Sequence, residues 1–371
     1  MDQPRNFREF TRRISFYFHE IDFILFATMV AISLFGVVNM YGISGSVHEL
    51  VPKQLLIVVI AICVMTFFSF INYRYLKNYS FPVVFSYVVS ILLLLLTFYS
   101  RSIRGVNSWI ILGNYTFEPV ELAKLVLIIL LAKFFSQRHI HINDIKNIII
   151  SGIYFGIPAA IIILQPDLGS AIIFSLIWLS MLMASGISKK HFIILVIAGL
   201  IVSGFGWNFV LKDYQKTRVI SFLNPYKDPR GAGYNLIQSK IAIGTGYWFG
   251  NGLGNGAQVK LGFLPEPKND FVFAATIEQF GLVGMSLVLA TILLMLSRIV
   301  NIGKRSNNNF GRLFSIGLAV FIFAHVFVGA SVNIGLMPAT GIPFPFLSYG
   351  GSNLISIAIG LGVMQNIKRN S

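Results

Sequence analysis

The stretch FILFATMVAISLFGVVNMYG (residues 23–42) carries no ionisable acid or base. A helix of roughly twenty apolar residues can cross the hydrocarbon core of a bilayer, where lipid satisfies no backbone hydrogen bonds. The stretch therefore predicts a membrane-spanning helix. It is too long for the apolar core of a signal peptide, so we expect it to be retained as the first span.

The rest of the chain has the same character. Of its 371 residues, 55% are hydrophobic and 12% are charged, whereas about 25% are charged in ordinary soluble proteins. Runs such as LVLIILLAKFF (125–135) cannot all be hidden in one aqueous core. We therefore expect a single integral membrane domain over residues 1–371 with an all-α, polytopic fold.

Ten stretches are long and apolar enough to be candidate spans. They cover residues 22–42, 53–71, 80–99, 119–137, 146–164, 168–186, 191–210, 271–297, 312–335 and 348–367. Lys and Arg cluster near residues 5–13, 74–77, 133–146, 189–190, 298–312 and 368–369. Cytoplasmic connections are enriched in these residues, so the pattern predicts that both termini are cytoplasmic.

Residues 211–270 interrupt the pattern of short connections and would lie on the outer side, between spans seven and eight. The segment is rich in glycine, proline and basic residues, and it includes the apolar stretch YNLIQSKIAIG (234–244). Long loops within compact domains are usually functional or disordered. The apolar and aromatic content argues against disorder. We expect this extracytoplasmic loop to fold onto the membrane surface or into a cavity.

The net charge of +15 is mostly this topological signal. Basic and aromatic residues do not alternate in any segment, which argues against a nucleic-acid partner. The single cysteine, Cys63, excludes an intrachain disulfide and a cysteine-based metal site. The sequence thus predicts no metal site.

Carboxylates gather where the long loop meets span eight, in FLPEPKNDFVFAATIEQFG (263–281). Asp270 could cap the helix or do chemistry, and the two roles are compatible. Glu278 lies two turns further along on about the same predicted face. Acids within a membrane usually face a cavity or a partner.

Two further stretches bring acids to the outer side. FEPVELAK (117–124) predicts that Glu118, Glu121 and Lys124 share one helix face, either as a Glu121–Lys124 ion pair or in contact with substrate. QPDLGS (165–170) places Asp167 between spans five and six, where a helix cap is favoured over catalysis.

Two glycine-rich stretches lack regular structure. GTGYWFGNGLGNG (244–256) does not have the spacing of a dinucleotide-binding loop, so a flexible loop or an anion-binding backbone nest remains. NIGLMPATGIPFPFLSYGGSN (333–353) joins spans nine and ten without a charge. Irregular backbone near a membrane must be buried in protein or line a cavity, so we expect a functional element here.

Acids and bases around a folded outer loop fit two classes of function. One is an enzyme that acts on a lipid-linked substrate at the outer leaflet, and the other is a transporter or flippase with a polar path. A non-catalytic scaffold would leave the buried acids unexplained.

Five blocks of the sequence, taken in order, resemble the shape, elongation, division and sporulation family of bacterial membrane proteins. The blocks are FEPVELAKL, QPDLGSA, ISFLNPYKDPRGAGYNLIQSKIAIGTG, GLGNGAQVKLGFLPEPKNDFVFA and PATGIPFPFLSYGGSN. The resemblance covers nearly the whole chain. The short tails look most like the family's rod-shape members, with its division members as the nearest competitor.

The resemblance implies a peptidoglycan glycosyltransferase of the bacterial cytoplasmic (inner) membrane. Such a protein polymerises lipid II at the outer face during elongation, alongside a class B penicillin-binding protein and other elongation-machinery proteins. A flippase or scaffold role is the alternative. The essential aspartate of the family maps onto Asp270, and its acid and lysine at the start of span four map onto Glu121 and Lys124.

The chain departs from the family pattern at three places. Glu118 and Val120 stand where the family usually has Gln and Ser. Lys268 and Asn269 replace His and Thr, and Gln279 and Phe280 replace Glu and Leu. Because Asp270 is present, the resemblance still implies activity, and Lys268 would favour the ionised form of Asp270 if the two lie close.

The implied reaction is inverting, with an undecaprenyl-pyrophosphate-linked donor. Asp270 would act as general base on the acceptor hydroxyl, and the leaving pyrophosphate would need positive charge. Arg218, Lys240 and Lys124 are candidates for that charge, whereas Glu266 and Glu278 are expected to be structural or to tune the cavity. No cofactor is required by the sequence, although a divalent cation could assist.

Overall fold

The computed structural model describes residues 21–45, 49–100, 108–113, 115–138, 144–209 and 212–370. Within these ranges the chain forms fourteen α-helices and one short hairpin. The helices are α1 (Phe23–Ser44), α2 (Leu50–Phe70), α3 (Arg74–Asn78), α4 (Ser80–Leu96), α5 (Pro119–Gln137), α6 (Ile145–Leu164), α7 (Leu168–Ser185), α8 (Lys189–Phe209), α9 (Asp213–Leu223), α10 (Tyr234–Gly246), α11 (Ala257–Lys260), α12 (Val272–Arg305), α13 (Asn309–Ile334) and α14 (Ser352–Arg369). Strands β1 (Ile110–Leu112) and β2 (Tyr115–Phe117) pair antiparallel, a small exception to the predicted all-α fold.

Each of the ten predicted spans coincides with a helix. Among the described residues, eight of these helices are long and apolar enough to cross a membrane, and the chain is a multi-pass helical membrane protein. The other two are α5 and α14. A crossing by all ten, and the cytoplasmic location of both termini, remain predictions.

Helix α5 lies at the centre of the bundle. It packs against α4, α6, α7, α13 and α14, and nearly all of its side chains from Pro119 to Phe135 are buried. A helix surrounded by protein needs no continuous apolar surface for lipid. This explains how α5 can carry Glu121, Lys124 and Lys133 and still lie inside the membrane domain.

The long segment between α8 and α12 is folded, as the sequence predicted, and its location on the outer side remains a prediction. Its described part, residues 212–270, forms α9, α10 and α11. Helix α10 packs against both α12 and α13, so the segment covers one end of the bundle. Ser239 of α10 donates a hydrogen bond to the backbone oxygen of Asn333 at the end of α13 (2.8 Å).

Helix α12 is interrupted at Gly281, which has φ +70° and ψ −177°. The glycine-rich stretch 244–256 lies against this interruption and hydrogen-bonds to the free backbone groups on both sides of it. The N–H of Asn251 donates to the Glu278 oxygen (2.9 Å), and the Leu282 N–H donates to the Tyr247 oxygen (2.9 Å). The stretch is therefore a structural insert, and the flexible-loop and anion-nest hypotheses are wrong for it: the Gly252 and Gly254 N–H groups, like that of Asn251, bond to α12.

We expect Gly281→Ala to destabilise the protein by at least about 1–3 kcal/mol, because a side chain is strained at this positive φ and the new methyl group would clash with the Trp248 carbonyl oxygen. Thermal unfolding in detergent would measure the loss. Gly156→Ala is the matched control, because it lies within α6 with open space around it, and there alanine should change stability by less than about 1 kcal/mol. Equal stability of both variants would contradict this account of the break.

Candidate active site

A cavity of about 480 Å³ opens between the start of α5, the α6–α7 connection, α9 and the irregular segment 335–351. This volume lies within the roughly 300–1,000 Å³ of ordinary ligand sites. We call it the first cavity. Its polar lining includes Gln54, Glu118, Asp167, Gln215, Arg218, Asp270, Ser348, Ser352 and Asn353. The segment joining the last two helices thus lines a cavity, as its irregular, uncharged sequence predicted.

A second cavity, of about 510 Å³, lies beside the first and is bounded by α9, α10 and the end of α13. Four residues line both cavities: Arg218, Asp270, Pro338 and Ala339. The two cavities therefore meet where the candidate base and a guanidinium group are found.

Asp270 lies in the turn before α12, and its position is set by backbone contacts. Asn333, at the end of α13, donates from Nδ2 to the Asp270 carbonyl oxygen (2.8 Å) and accepts the Ala274 N–H at Oδ1 (3.0 Å). The irregular segment holds the preceding residues, because Ser348 Oγ donates to the Asn269 oxygen (3.0 Å). The N-cap of α12 is Phe271, so the alternative that Asp270 caps this helix is wrong.

Arg218 projects from α9 to the junction of the cavities. Its Nη1 donates to the Ala339 carbonyl oxygen (3.4 Å), and its guanidinium carbon lies 5.6 Å from the centre of the Tyr214 ring. Such contacts orient a guanidinium group without neutralising it. Among the described residues that line either cavity, only Arg218 is a lysine or an arginine.

Glu121 and Lys124 form a buried ion pair, with 2.6 Å between Lys124 Nζ and Glu121 Oε1 and no exposure of either side chain. The ion-pair alternative for these two residues is therefore confirmed. His325 and Asn353 complete the cluster: Asn353 Nδ2 donates to Glu121 Oε2 (2.8 Å), and His325 Nε2 lies 3.2 Å from Lys124 Nζ. Neither Glu121 nor Lys124 lines the cavities, but Asn353 lines the first one.

Asp167 lines the first cavity and also caps α7, accepting the Ser170 N–H at Oδ1 (3.0 Å). The predicted cap is therefore confirmed. Burial raises the pKa of the Asp167 carboxyl, and the Ser170 hydrogen bond opposes this rise. Its carboxyl group adds to the acidic character of the first cavity.

Three other predicted residues lie in different surroundings. Glu266 lines the second cavity and accepts a hydrogen bond from Asn269 Nδ2 (3.2 Å). Lys240 lies against Gly335 at the end of α13 and lines neither cavity. Glu278 accepts the N–H groups of Gln258 (2.7 Å) and Val259 (3.1 Å) at the start of α11. The prediction that Glu278 and Asp270 share a helix face is wrong, because Asp270 precedes the helix and Glu278 turns to α11.

Sequence reasoning did not single out His325, Asn333 or Asn353. Each is a polar residue in a helix that is otherwise largely apolar, and such residues usually bond within the bundle. By that rule the sequence could have indicated these three residues as candidates. It could not have predicted that Asn333 hydrogen-bonds to the Asp270 backbone or that His325 and Asn353 contact Glu121.

Comparison with known proteins agrees with the motifs. The model of the FtsW, RodA and SpoVE family, described as cell cycle protein, matches residues 15–371. Peptidoglycan glycosyltransferase MrdB of Escherichia coli (strain K12) is 33% identical over 351 residues, 94% of this chain and 93% of that protein. Stage V sporulation protein E of Bacillus subtilis (strain 168) is 34% identical over 320 residues, covering 86% and 87% of the two chains.

Solved structures share the fold. A chain from a peptidoglycan synthase complex that coordinates polymerization and crosslinking matches with a TM-score of 0.81 and 29% identity, covering 94% of this chain and 98% of that one. The rod shape determining protein RodA of Thermus thermophilus matches with a TM-score of 0.70 and 25% identity, covering 94% and 97%. Because the family model and these relatives extend over most of the sequence, the chain belongs to the FtsW/RodA/SpoVE family.

Proposed function

We propose that this chain is a peptidoglycan glycosyltransferase that polymerises lipid II at the outer face of the bacterial cytoplasmic membrane. The observation that carries the proposal is the junction of two cavities at Asp270 and Arg218. Polymerisation needs one site for the lipid-linked donor and one for the acceptor sugar, with a base between them. Relatives that cover most of this sequence are named for this activity.

The chemistry follows from the two side chains at the junction. Asp270 takes the proton of the acceptor hydroxyl as that oxygen attacks the anomeric carbon of the donor, and the bond from that carbon to the lipid pyrophosphate breaks. One displacement inverts the anomeric centre. General-base assistance of this kind contributes about 10²–10⁴-fold in rate. Arg218 stabilises the negative charge that grows on the leaving pyrophosphate.

The first cavity suits the donor and the second suits the acceptor. The first reaches the irregular segment and the start of α5, whereas the second extends along α9 and α10 of the outer segment. Glu266, Asn235 and Ser221 line the second cavity and offer hydrogen-bonding groups of the type that bind sugar hydroxyls. Neither assignment uses Lys124, because its ammonium group is held in the ion pair with Glu121.

A class B penicillin-binding protein is the proposed partner, because a structural relative comes from a complex that couples polymerization to crosslinking. Cell elongation is the proposed setting, since a rod shape determining protein shares the fold.

Purified protein with labelled lipid II in detergent, with and without the cognate class B penicillin-binding protein, tests the function directly. Detergent removes the two sides of the membrane, so lipid flipping cannot contribute to polymer formation. We expect glycan polymer. Its absence under both conditions, with folded protein, would favour a translocating or scaffolding role.

Arg218→Gln should lower kcat/KM for lipid II by about tenfold to a hundredfold, because one charge-assisted contact to the pyrophosphate is lost. Initial polymerisation rates at several lipid II concentrations would show it. Lys216→Gln is the control, since Lys216 is on the same helix but lines neither cavity. Equal losses in both variants would point to a general effect of surface charge and against the assignment of Arg218.

A further inference from the structure

Glu118 occupies a fixed place on the wall of the first cavity. It is the residue directly before α5, whose first position is Pro119. Its backbone N–H donates to Ser352 Oγ (2.9 Å), and this contact ties the start of α5 to the start of α14. Both Glu118 and Ser352 line the cavity. Within the part of the chain that the structure describes, no hydrogen bond joins the Glu118 carboxyl to another protein group.

The surroundings of the Glu118 carboxyl are acidic. Asp167 and Asp270 line the same cavity, and Glu121 lies one turn along α5. The described ionisable groups of the elements around it are Glu121 and Lys124 of α5, Asp167 of the α6–α7 connection, Arg218 of α9, Asp270 before α12, His325 of α13 and Tyr349 of the irregular segment.

This environment favours the neutral acid. Burial raises the pKa of Glu118 well above its usual value, and repulsion by Glu121, Asp167 and Asp270 adds to the rise, while Lys124 opposes it. The surroundings of Glu118 therefore favour the protonated carboxyl over the ionised one. A protonated carboxyl has one O–H donor, whereas the ionised form only accepts.

The protonation state of the Glu118 carboxyl decides whether an anion can enter the first cavity. A pyrophosphate there would meet Arg218 and up to three carboxyl groups, so an ionised Glu118 would repel it. A neutral Glu118 would instead offer an O–H to a phosphate oxygen, and hydrogen bonds to charged oxygens are short and strong.

We propose that Glu118 is a substrate-binding residue whose neutral carboxyl donates a hydrogen bond to the pyrophosphate of the donor, and that ionisation of Glu118 at alkaline pH expels this group. The inference rests on the proposed function for the identity of the ligand. It assigns a second contact to the pyrophosphate besides Arg218 and makes donor affinity depend on pH.

Binding of undecaprenyl pyrophosphate to the full-length protein in detergent tests this without any turnover. Its Kd would be measured from about pH 6 to about pH 9 for the wild type, Glu118→Gln and Glu118→Ala, with thermal unfolding as the check of folding. The ligand titrates identically in every sample, so the ratio of Kd values between proteins at each pH reports Glu118 alone.

At about pH 6 we expect Glu118→Gln to bind within about threefold of the wild type, because its amide N–H also donates, and Glu118→Ala to bind about tenfold more weakly. As the pH rises, the wild type should lose affinity relative to Glu118→Gln, by at least about tenfold once its carboxyl has ionised. Asp167→Asn is the matched control: it removes the neighbouring carboxyl but should keep the alkaline loss.

Identical pH dependence in the wild type and Glu118→Gln would overturn the proposal, and so would wild-type affinity of Glu118→Ala at about pH 6. Loss of the alkaline effect in Asp167→Asn, with its retention in Glu118→Gln, would move the titration to Asp167. The proposed function fails separately, through absence of polymer from lipid II, and that result would leave this binding experiment interpretable.

Discussion

Asp270→Asn should lower the rate of glycan polymerisation by about 10²–10⁴-fold, because asparagine cannot accept the proton of the attacking hydroxyl. The substitution keeps the size of the side chain. It also keeps the backbone contact from Asn333 Nδ2 to the residue 270 carbonyl (2.8 Å), so the turn before α12 should be preserved. Labelled lipid II in detergent, with the cognate class B penicillin-binding protein, would give the rate.

Asp213→Asn is the control for this experiment. Asp213 is exposed at the first position of α9, in the same long segment between α8 and α12, and lines neither cavity. It should polymerise at about the wild-type rate. Near-normal polymer from Asp270→Asn would show that proton transfer does not depend on this carboxylate, and the base would then have to be sought among the other acids of the two cavities.

Lys124→Met should destabilise the protein by about 3–5 kcal/mol, because it leaves Glu121 as a buried charge without its main partner. Both side chains are fully buried and 2.6 Å apart, so water cannot replace the ammonium group. Adding Glu121→Gln to Lys124→Met should recover much of the loss. Reversible unfolding in mixed micelles would give the free energies.

Lys133→Met on the same helix provides the comparison. Lys133 is also buried, but its Nζ donates to the Leu76 carbonyl oxygen (3.3 Å) and pairs with no carboxylate of the described residues, so its removal leaves none of these carboxylates unpaired. The expected loss is about 1 kcal/mol, that of one hydrogen bond. If the double variant were no more stable than Lys124→Met, the cost would lie in packing around α5, and the ion-pair explanation would be wrong.

The helices were predictable because their cause is local. A run of apolar residues must form a helix in lipid, whatever lies beside it, and all ten predicted spans coincide with helices. The motif before α12 also made Asp270 a candidate, because an acid at a membrane boundary is costly unless it has a role or a partner. The family resemblance, and not the position of the residue, assigned it the role of base, and that role stays a prediction.

Contacts between distant residues were not predictable. Nothing in the spacing of Glu278 indicates that its carboxylate turns to the N–H groups of Gln258 and Val259, and helical periodicity alone placed it next to Asp270. The break at Gly281 was unpredictable for the same reason. The glycine is visible in the sequence, but its positive φ is required by the inserted stretch around Trp248, which is distant in sequence.

The sequence by itself determined that this chain is a helical membrane protein with a long folded segment between two of its helices, and it supplied a candidate catalytic carboxylate. Hydropathy, charge placement and motif order act along the chain, so each can be recognised without neighbours. Only the tertiary structure decided that Asp270 and Arg218 lie where two cavities meet, that Lys124 is held by Glu121, and that Glu118 faces the first cavity among other acids. These features depend on burial and on distances between residues far apart in sequence, because both the cost of a charge and the reach of a hydrogen bond are set by the packed surroundings.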